Sequence, residues 1–386
     1  MLGKTYVSKV LFVGALLLLS GILAAETAAQ QKPPFDALEG LDPLMLVQGK
    51  EVQGEMNLTV TRGQFRYYFA NAANKAAFEQ DPTRYEIQAG GECARMGAPV
   101  YGTPDLYSVY QGRIYIFGSG GCKKSFDAAP EKYFPTKSEA NAKIALTPEA
   151  LKQGQALVEK AVAALGGAAR LDGLSSYQEK STTLQTRQQG DVEIKNNLTV
   201  VFPDRIRLER TMPDFNNPAT MRQMAQVITP NDAFSTVPND VQPINEVARL
   251  DQEREVRRRP LAILRARKSA GFKPAALGSG KVGETAVEQV AVELDGTSYT
   301  LGIEPTTGRL LSLSYQRRGP QGTYGQFVQV FSDFRTVDGL TLPFKSSATF
   351  DGQPWKAQSA TVEAIAINSK VDPALFEKPQ PSKPQQ

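Results

Sequence analysis

One pattern is written twice in this chain, 48 residues apart. Tyr67, Phe69, Lys75, Phe78, Pro82 and Tyr85 recur in register as Tyr115, Phe117, Lys123, Phe126, Pro130 and Tyr133. Each copy opens on a short aromatic run, Phe65 to Phe69 or Ile114 to Phe117, bounded by turn residues, which is the composition of a strand. A Lys-x-x-Phe stretch of helical character follows, then Asp81-Pro82 or Ala129-Pro130 and a closing Tyr. A unit this small cannot bury its apolar face alone. Two copies that cover each other predict one small domain over residues 35–134.

The rest of the chain needs a second domain, because 386 residues exceed one ordinary core. A polar stretch over 135–146 reads as a linker. Thr147-Pro148-Glu149 then carries the signature of a helix start: an N-cap hydroxyl, a Pro in the first turn and an acidic residue near the positive helix end. Leu151, Gln155, Val158, Val162 and Leu165 keep helical spacing, and Gly166-Gly167 stops the helix. Beyond Tyr177 the period changes to two. Val192, Ile194, Leu198, Val200 and Phe202 suggest a hairpin, and Ile206 and Leu208 alternate with charged residues. Further runs lie at 287–294, 299–303, 311–315, 327–331, 348–350 and 361–367. Asp295-Gly296, Thr307-Gly308, Asp338-Gly339 and Asp351-Gly352 supply turns between them. Successive strands joined by short turns predict one strongly curved antiparallel sheet over 147–378, so the fold class is α+β. Residues 379–386, rich in Pro, Lys and Gln, read as a disordered tail.

The segment 243–271 breaks the strand pattern. It is helical and basic, is divided by Pro260, and carries Arg249, Arg254, Arg257, Arg258, Arg259, Arg265, Arg267 and Lys268. Ile244, Val247, Leu261 and Leu264 suggest apolar stripes. A helix pair packed on the sheet, a movable lid, and a face in transient contact with anionic lipid all fit this composition. Asp251, Glu253 and Glu255 dilute its charge.

The ends and the rare residues bound the function. Lys4 and Lys9 precede an apolar run from Val10 to Leu23, and Ala24, Ala25, Ala28 and Ala29 follow. This is the pattern of a signal peptide over 1–29, cleaved after Ala25 or Ala29; the run is short for an uncleaved anchor. The mature chain is expected to be exported to a periplasm. A net charge of +4 is too small to suggest a nucleic-acid partner. The chain contains no histidine, which removes His-based triads, His acid–base chemistry and His-rich metal sites. No pair of carboxylates is placed by a recognisable motif. Gly118-Ser119-Gly120-Gly121 lacks the Lys-Ser/Thr of a phosphate loop. The expectation is therefore no enzyme, no catalytic residue and no cofactor. Cys93 and Cys122 are the two cysteines. In an oxidising compartment the simplest reading of an even pair is a disulfide, with free thiols and a thiolate metal site as the alternatives.

Residues 35–134 resemble the YHS domain family, on Asp42-Pro43, Tyr67-Tyr68-Phe69, Lys75, Phe78, Asp81-Pro82, Tyr85 and Gly112 to Phe117. That resemblance implies a small fold often linked to copper or other heavy metals. The family's Asp-Pro-Val-Cys-Gly-Met reads Asp42-Pro43-Leu44-Met45-Leu46 here, without its Cys. Cys93 matches a Cys of the family's extended members. Met45 and Met96 are candidate thioether donors to Cu(I), with gap-filling core residues as the simpler reading. Residues 150–378 look like the superfamily of lipoprotein-sorting and outer-membrane lipoprotein carrier proteins. The layout carries that resemblance, together with Pro203 to Leu208, Val337 to Phe344 and Val371 to Phe376. It implies an incomplete barrel covered by helices, holding an apolar ligand or a lipidated partner. The groove liners expected on the strand faces are Ile206, Leu208, Leu311, Leu313, Phe327 and Phe331.

Overall fold

The structure, a computed structural model, describes residues 34–97, 100–134, 147–187, 190–214, 217, 219–237, 240–244, 246–294 and 297–379. The expected signal peptide, linker and all but the first residue of the expected tail lie outside these residues.

The duplication is real in three dimensions. The first copy runs β1 (Phe35–Asp36), α1 (Pro43–Leu46), β2 (Glu55–Arg62), β3 (Phe65–Phe69), α2 (Ala72–Gln80) and α3 (Pro82–Tyr85). The second runs β4 (Thr103–Tyr110), β5 (Arg113–Phe117), α4 (Gly120–Ala128) and a 3-10 turn, Pro130–Tyr133. Even the irregularities repeat. The β2–β3 register slips between Glu55 and Thr59, and the β4–β5 register slips at the equivalent Thr103 and Tyr107. Asn71 caps α2 by accepting from Asn74 N, and Ser119 caps α4 by accepting from Cys122 N. Phe78 packs 4.9 Å from Tyr67 and 5.1 Å from Phe69, and Phe126 packs 5.0 Å from Phe117. Each helix thus covers its own hairpin with one buried Phe. The copies also cover each other: Ile114 and Ile116, on the other face of β5, are buried in the first copy's core.

The second part opens with α5 (Pro148–Leu165), where the Thr147 hydroxyl accepts from Ala150 N at 3.1 Å as the sequence signature requires. A short α6 (Ala168–Asp172) follows. Then come β6 (Ser176–Arg187), β7 (Gly190–Val201), β8 (Arg205–Pro213), β9 (Met221–Ile228), β10 (Ala233–Val237) and β11 (Asp240–Pro243). The basic segment forms α7 (Glu246–Arg257) and α8 (Pro260–Arg265), divided at Pro260 as expected. The chain returns as β12 (Lys273–Val282), β13 (Thr285–Leu294), β14 (Thr297–Ile303), β15 (Leu310–Arg318), β16 (Tyr324–Val337), β17 (Leu340–Phe350), β18 (Gln353–Pro354) and β19 (Ala360–Ile367).

These strands make one antiparallel sheet in the order β11-β10-β9-β8-β7-β6-β19-β17-β16-β15-β14-β13-β12, with β18 paired to β17. The last long strand, β19, inserts between β6 and β17 and so joins the two meanders. Strands β11 and β12 do not pair, so the sheet stays open, a half-barrel and not a barrel. Asp338-Gly339 and Asp351-Gly352 both hold positive φ, the geometry of the tight hairpin turns read from the sequence. Asp295-Gly296 lies outside the described residues.

One core lies on a single face of this sheet. It joins Val158, Val162 and Leu165 of α5 and Leu261, Ile263 and Leu264 of α8 to strand residues from β6 across to β17. Gly154 lets α5 approach β12: a Cβ there would stand 2.6 Å from the Pro274 carbonyl oxygen. The duplicated part meets the sheet at the β15–β16 turn, where Arg318 Nη1 donates to the carbonyls of Ala94 at 2.7 Å and Arg95 at 2.9 Å.

Candidate functional site

The face of the sheet beneath α7 and α8 is where the expected liners gather. Ile206 on β8, Leu313 on β15, and Phe327 and Phe331 on β16 are all buried in the core there, and Leu208 packs against it half-buried. Leu311 is outside that cluster. The β14–β15 register slips beside it: Gly302 pairs with Ser312 but Ile303 pairs with Leu310, so the bulge turns Leu310 inward and leaves Leu311 half-buried.

A row of aromatic rings crosses this floor. Tyr299 and Tyr315 are cross-strand partners at 5.2 Å, Tyr315 and Phe327 repeat that spacing at 5.2 Å, and Trp355 meets Phe327 edge-on at 5.9 Å. Cations lie over the row. The Arg258 guanidinium is 4.8 Å from the Tyr315 ring, and the Arg317 guanidinium is 5.2 Å from both Phe327 and Trp355. Glu255 of α7 joins them, 2.7 Å from Arg258 Nη1 and 3.0 Å from Arg317 Nη2. The C-terminal end of α7 therefore lies over an aromatic surface that carries its own cation, Arg317.

The second attachment is deeper. Glu179 on β6 faces the core between Tyr177 and Ser181, with only 7 % of its side chain exposed. Arg259 Nη1 donates to its Oε2 at 2.6 Å, and the Tyr177 hydroxyl donates to the same oxygen at 2.5 Å. Burial alone would push the Glu179 carboxyl up. The Arg259 charge and the hydrogen bonds from Tyr177, Arg259 and Ser181 outweigh it and hold the carboxyl below the usual range. Arg259 is the N-cap residue of α8, and its own side chain is 37 % exposed. Beyond α8, Arg267 pairs with Asp172 of α6 at 2.9 Å, and Lys268 reaches the same carboxylate at 2.6 Å.

None of these charged partners is among the site residues expected from the sequence. The signal was present in Arg257-Arg258-Arg259-Pro260, three cations ahead of a helix-starting Pro. The acceptor of Arg259 lies 80 residues away at Glu179 and that of Arg267 lies 95 residues away at Asp172, and local pattern does not reveal those partners. The pairing also changes the view of the segment as a lipid-facing cationic surface. Arg249 and Arg257 bind Glu253, Arg258 binds Glu255, Arg259 binds Glu179, and Arg267 and Lys268 bind Asp172. Its positive charge is largely neutralised within the fold.

In the duplicated part, Asp42 is fully buried and structural. Its carboxylate accepts from Leu44 N at 2.8 Å, Met45 N at 3.2 Å, Ala70 N at 2.7 Å and Asn74 Nδ2 at 2.7 Å. The expected disulfide is corrected: Cys93 and Cys122 are free thiols, neighbours in the core of the second copy, Cys93 buried and Cys122 partly exposed. Among the described residues no three His, Cys, Asp or Glu side chains gather as a metal site. Two hollows of about 210 and 240 Å³, one beside Ser176 and Phe376 and one beside Gly173 and Asn368, lie at the sheet's rim, and neither is lined by α7 or α8.

The YHS domain family matches residues 97–137, the second copy of the repeat, whereas most of the residues on which the resemblance rests lie in the first copy. No curated protein matches the chain. Among solved structures the chain is similar to a LolA superfamily protein from Nitrosomonas europaea, at 13% identity and TM-score 0.39, over 58% of this chain and 97% of that one. A domain described as an outer membrane lipoprotein-sorting protein, from Vibrio parahaemolyticus, overlaps at 9% identity and TM-score 0.38 over the same shares, 58% and 97%. A DUF1329 family protein from Desulfovibrio piger overlaps at 12% identity and TM-score 0.37, again over 58% and 97%. TM-scores this low do not superpose a site, and no ligand or partner is carried across from these proteins.

Proposed function

We propose that this is an exported, non-catalytic carrier that holds the apolar part of a lipid or lipidated partner between the half-barrel of 147–378 and the cover formed by α7 and α8. The duplicated unit of 35–134 is a separately cored module docked on its rim. The observation that supports this most is the charged cover resting on the aromatic row of Tyr299, Tyr315, Phe327 and Trp355. A helix meant to stay permanently would bury apolar residues on such a floor. Here Glu255 of α7 and Arg258, just beyond its end, meet Arg317 of β15 over the rings, and these charges regain hydration when the cover lifts. Among the described residues the cover's apolar anchors are Val256 of α7 and Leu261, Ile263 and Leu264 of α8. The floor they leave is apolar and well suited to an acyl chain. The Arg259–Glu179 pair is the latch: it lies at the junction of α7 and α8, between the Glu255–Arg317 contact and the Arg267–Asp172 pair.

The test is direct. Protein exported to a periplasm and purified without detergent is weighed by native mass spectrometry, then titrated with a fluorescent fatty acid. A lipid-sized mass excess released on denaturation, or saturable one-to-one binding of the probe, supports the carrier. A bare mature mass together with no saturable binding refutes it.

A further inference from the structure

The duplication extends into the loop ahead of each hairpin, and there the two copies differ in chemistry. Asp42 N donates to Val52 O at 2.8 Å, and Cys93 N donates to Val100 O at 2.8 Å. Gly54 N donates to Gly40 O at 2.9 Å, and Gly102 N donates to Gly91 O at 2.9 Å. Cys93 therefore occupies the position of Asp42, and the loop after it is three residues shorter. Both side chains are fully buried. Asn74 and Cys122 are equivalent as well: each is the third helical residue after the side-chain caps Asn71 and Ser119. In the first copy the two side chains meet, Asn74 Nδ2 donating to Asp42 Oδ2 at 2.7 Å. In the second copy the same two positions hold thiols, packed in one cluster. An amide–carboxylate bond ties loop to helix in one copy, so the fold itself does not require sulfur at this junction.

The surroundings favour a thiolate at Cys122. It sits in the first turn of a nine-residue helix, where the unpaired backbone N–H groups and the helix dipole favour negative charge. The Arg95 guanidinium, whose Nη1 lies 3.0 Å from Met96 Sδ, brings a positive charge to this cluster. Burial alone would raise the Cys122 thiol. Hydrogen bonds to Ser119, Cys93 and Arg95 outweigh that and lower it. The same guanidinium opposes a soft metal cation among these sulfurs. Cys122 is partly exposed while Cys93 is buried behind it, so an incoming reagent meets Cys122 first.

We propose that Cys122 and Cys93 form a thiol–disulfide exchange site, Cys122 the attacking thiolate and Cys93 the resolving thiol, acting on a small-molecule or peptide disulfide. The Cys122 thiolate attacks one sulfur of R–S–S–R, forms a Cys122–S–S–R bond and expels one RS⁻, which takes a proton from water. Cys93 gives its proton to water and attacks the Cys122 sulfur, which breaks the bond to R and releases the second RS⁻. The protein dithiol is oxidised by two electrons, and one disulfide is reduced to two thiols. Excess thiol drives the steps backwards.

The test uses the whole mature chain and glutathione. In the folded, reduced protein, Cys122 is expected to alkylate with a pH midpoint below that of free cysteine, about 8.5, while Cys93 reacts only after denaturation. Oxidised glutathione is expected to remove two hydrogens and link Cys93 to Cys122, and millimolar reduced glutathione to reverse this without unfolding. Cys93→Ala is expected to stop at a glutathione adduct on Cys122. If that variant does not fold, the wild-type alkylation profile and the Arg95→Met profile, expected to move upward, decide the matter. A folded-state midpoint at or above that of free cysteine refutes the site. So does a disulfide that thiol opens only after unfolding, since that bond is structural.

Discussion

Replacing Arg259 by Met isolates the latch. The change keeps an unbranched stem and removes the one charge that compensates the buried Glu179 carboxylate. Breaking a fully buried ion pair by removing one partner costs about 3–5 kcal/mol. Glu179 is 7 % exposed but Arg259 is 37 % exposed, so solvent already screens one side and the expected cost falls to about 2 kcal/mol. For a domain of this size that lowers Tm by roughly 4–8 °C. If the contact is lost only when the cover lifts, the same energy raises the open population about 30-fold. The sign with pH follows from Glu179. Its carboxyl is held low by Arg259, so the pair stabilises the fold above the ordinary carboxylate range and is lost as pH falls through the depressed value. The deficit of the variant should therefore be full at pH 7 and shrink in acid. Urea unfolding of the wild type, Arg259→Met, Glu179→Gln and the double variant gives the coupling energy, and hydrogen exchange of α7 and α8 reports the cover alone. A loss below about 0.5 kcal/mol, or strictly additive single variants, would refute the latch.

Three further outcomes are expected. Asp42→Asn should destabilise the duplicated unit by about 3 kcal/mol, because the new amide turns a donor toward groups that now donate to the carboxylate; thermal melts of residues 34–134 against the full chain locate the loss. Gly154→Ala should destabilise by about 1–3 kcal/mol in chemical denaturation, against the usual gain from Ala in a helix, since the new Cβ would meet the Pro274 carbonyl. Hydrogen bonds from Arg267 and Lys268 hold the Asp172 carboxyl down from 3.8 to about 2. The stability it contributes is present above its ordinary value and lost as pH falls toward about 2, so Asp172→Asn should flatten acid unfolding across that interval.

The sequence by itself determined what is local. The repeat, its Phe78 and Phe126 anchors, the Thr147 cap, the break at Pro260 and the turns at Asp338-Gly339 and Asp351-Gly352 depend on neighbours a few residues away, and each appears where the pattern placed it. Alternation also located four of the six proposed liners in the core. It failed at Leu311, because a β-bulge adds one residue and the inward phase shifts without any mark in the composition. What only tertiary structure decided is the set of long-range encounters. Glu179 reads as one carboxylate among many until the fold lays it beneath Arg259 in a dry interior. Cys93 and Cys122 read most simply as a disulfide, and the fold holds them as free thiols at the sites of Asp42 and Asn74. Pairing across 80 residues depends on where a sheet brings distant strands together, and local periodicity carries no information about that distance.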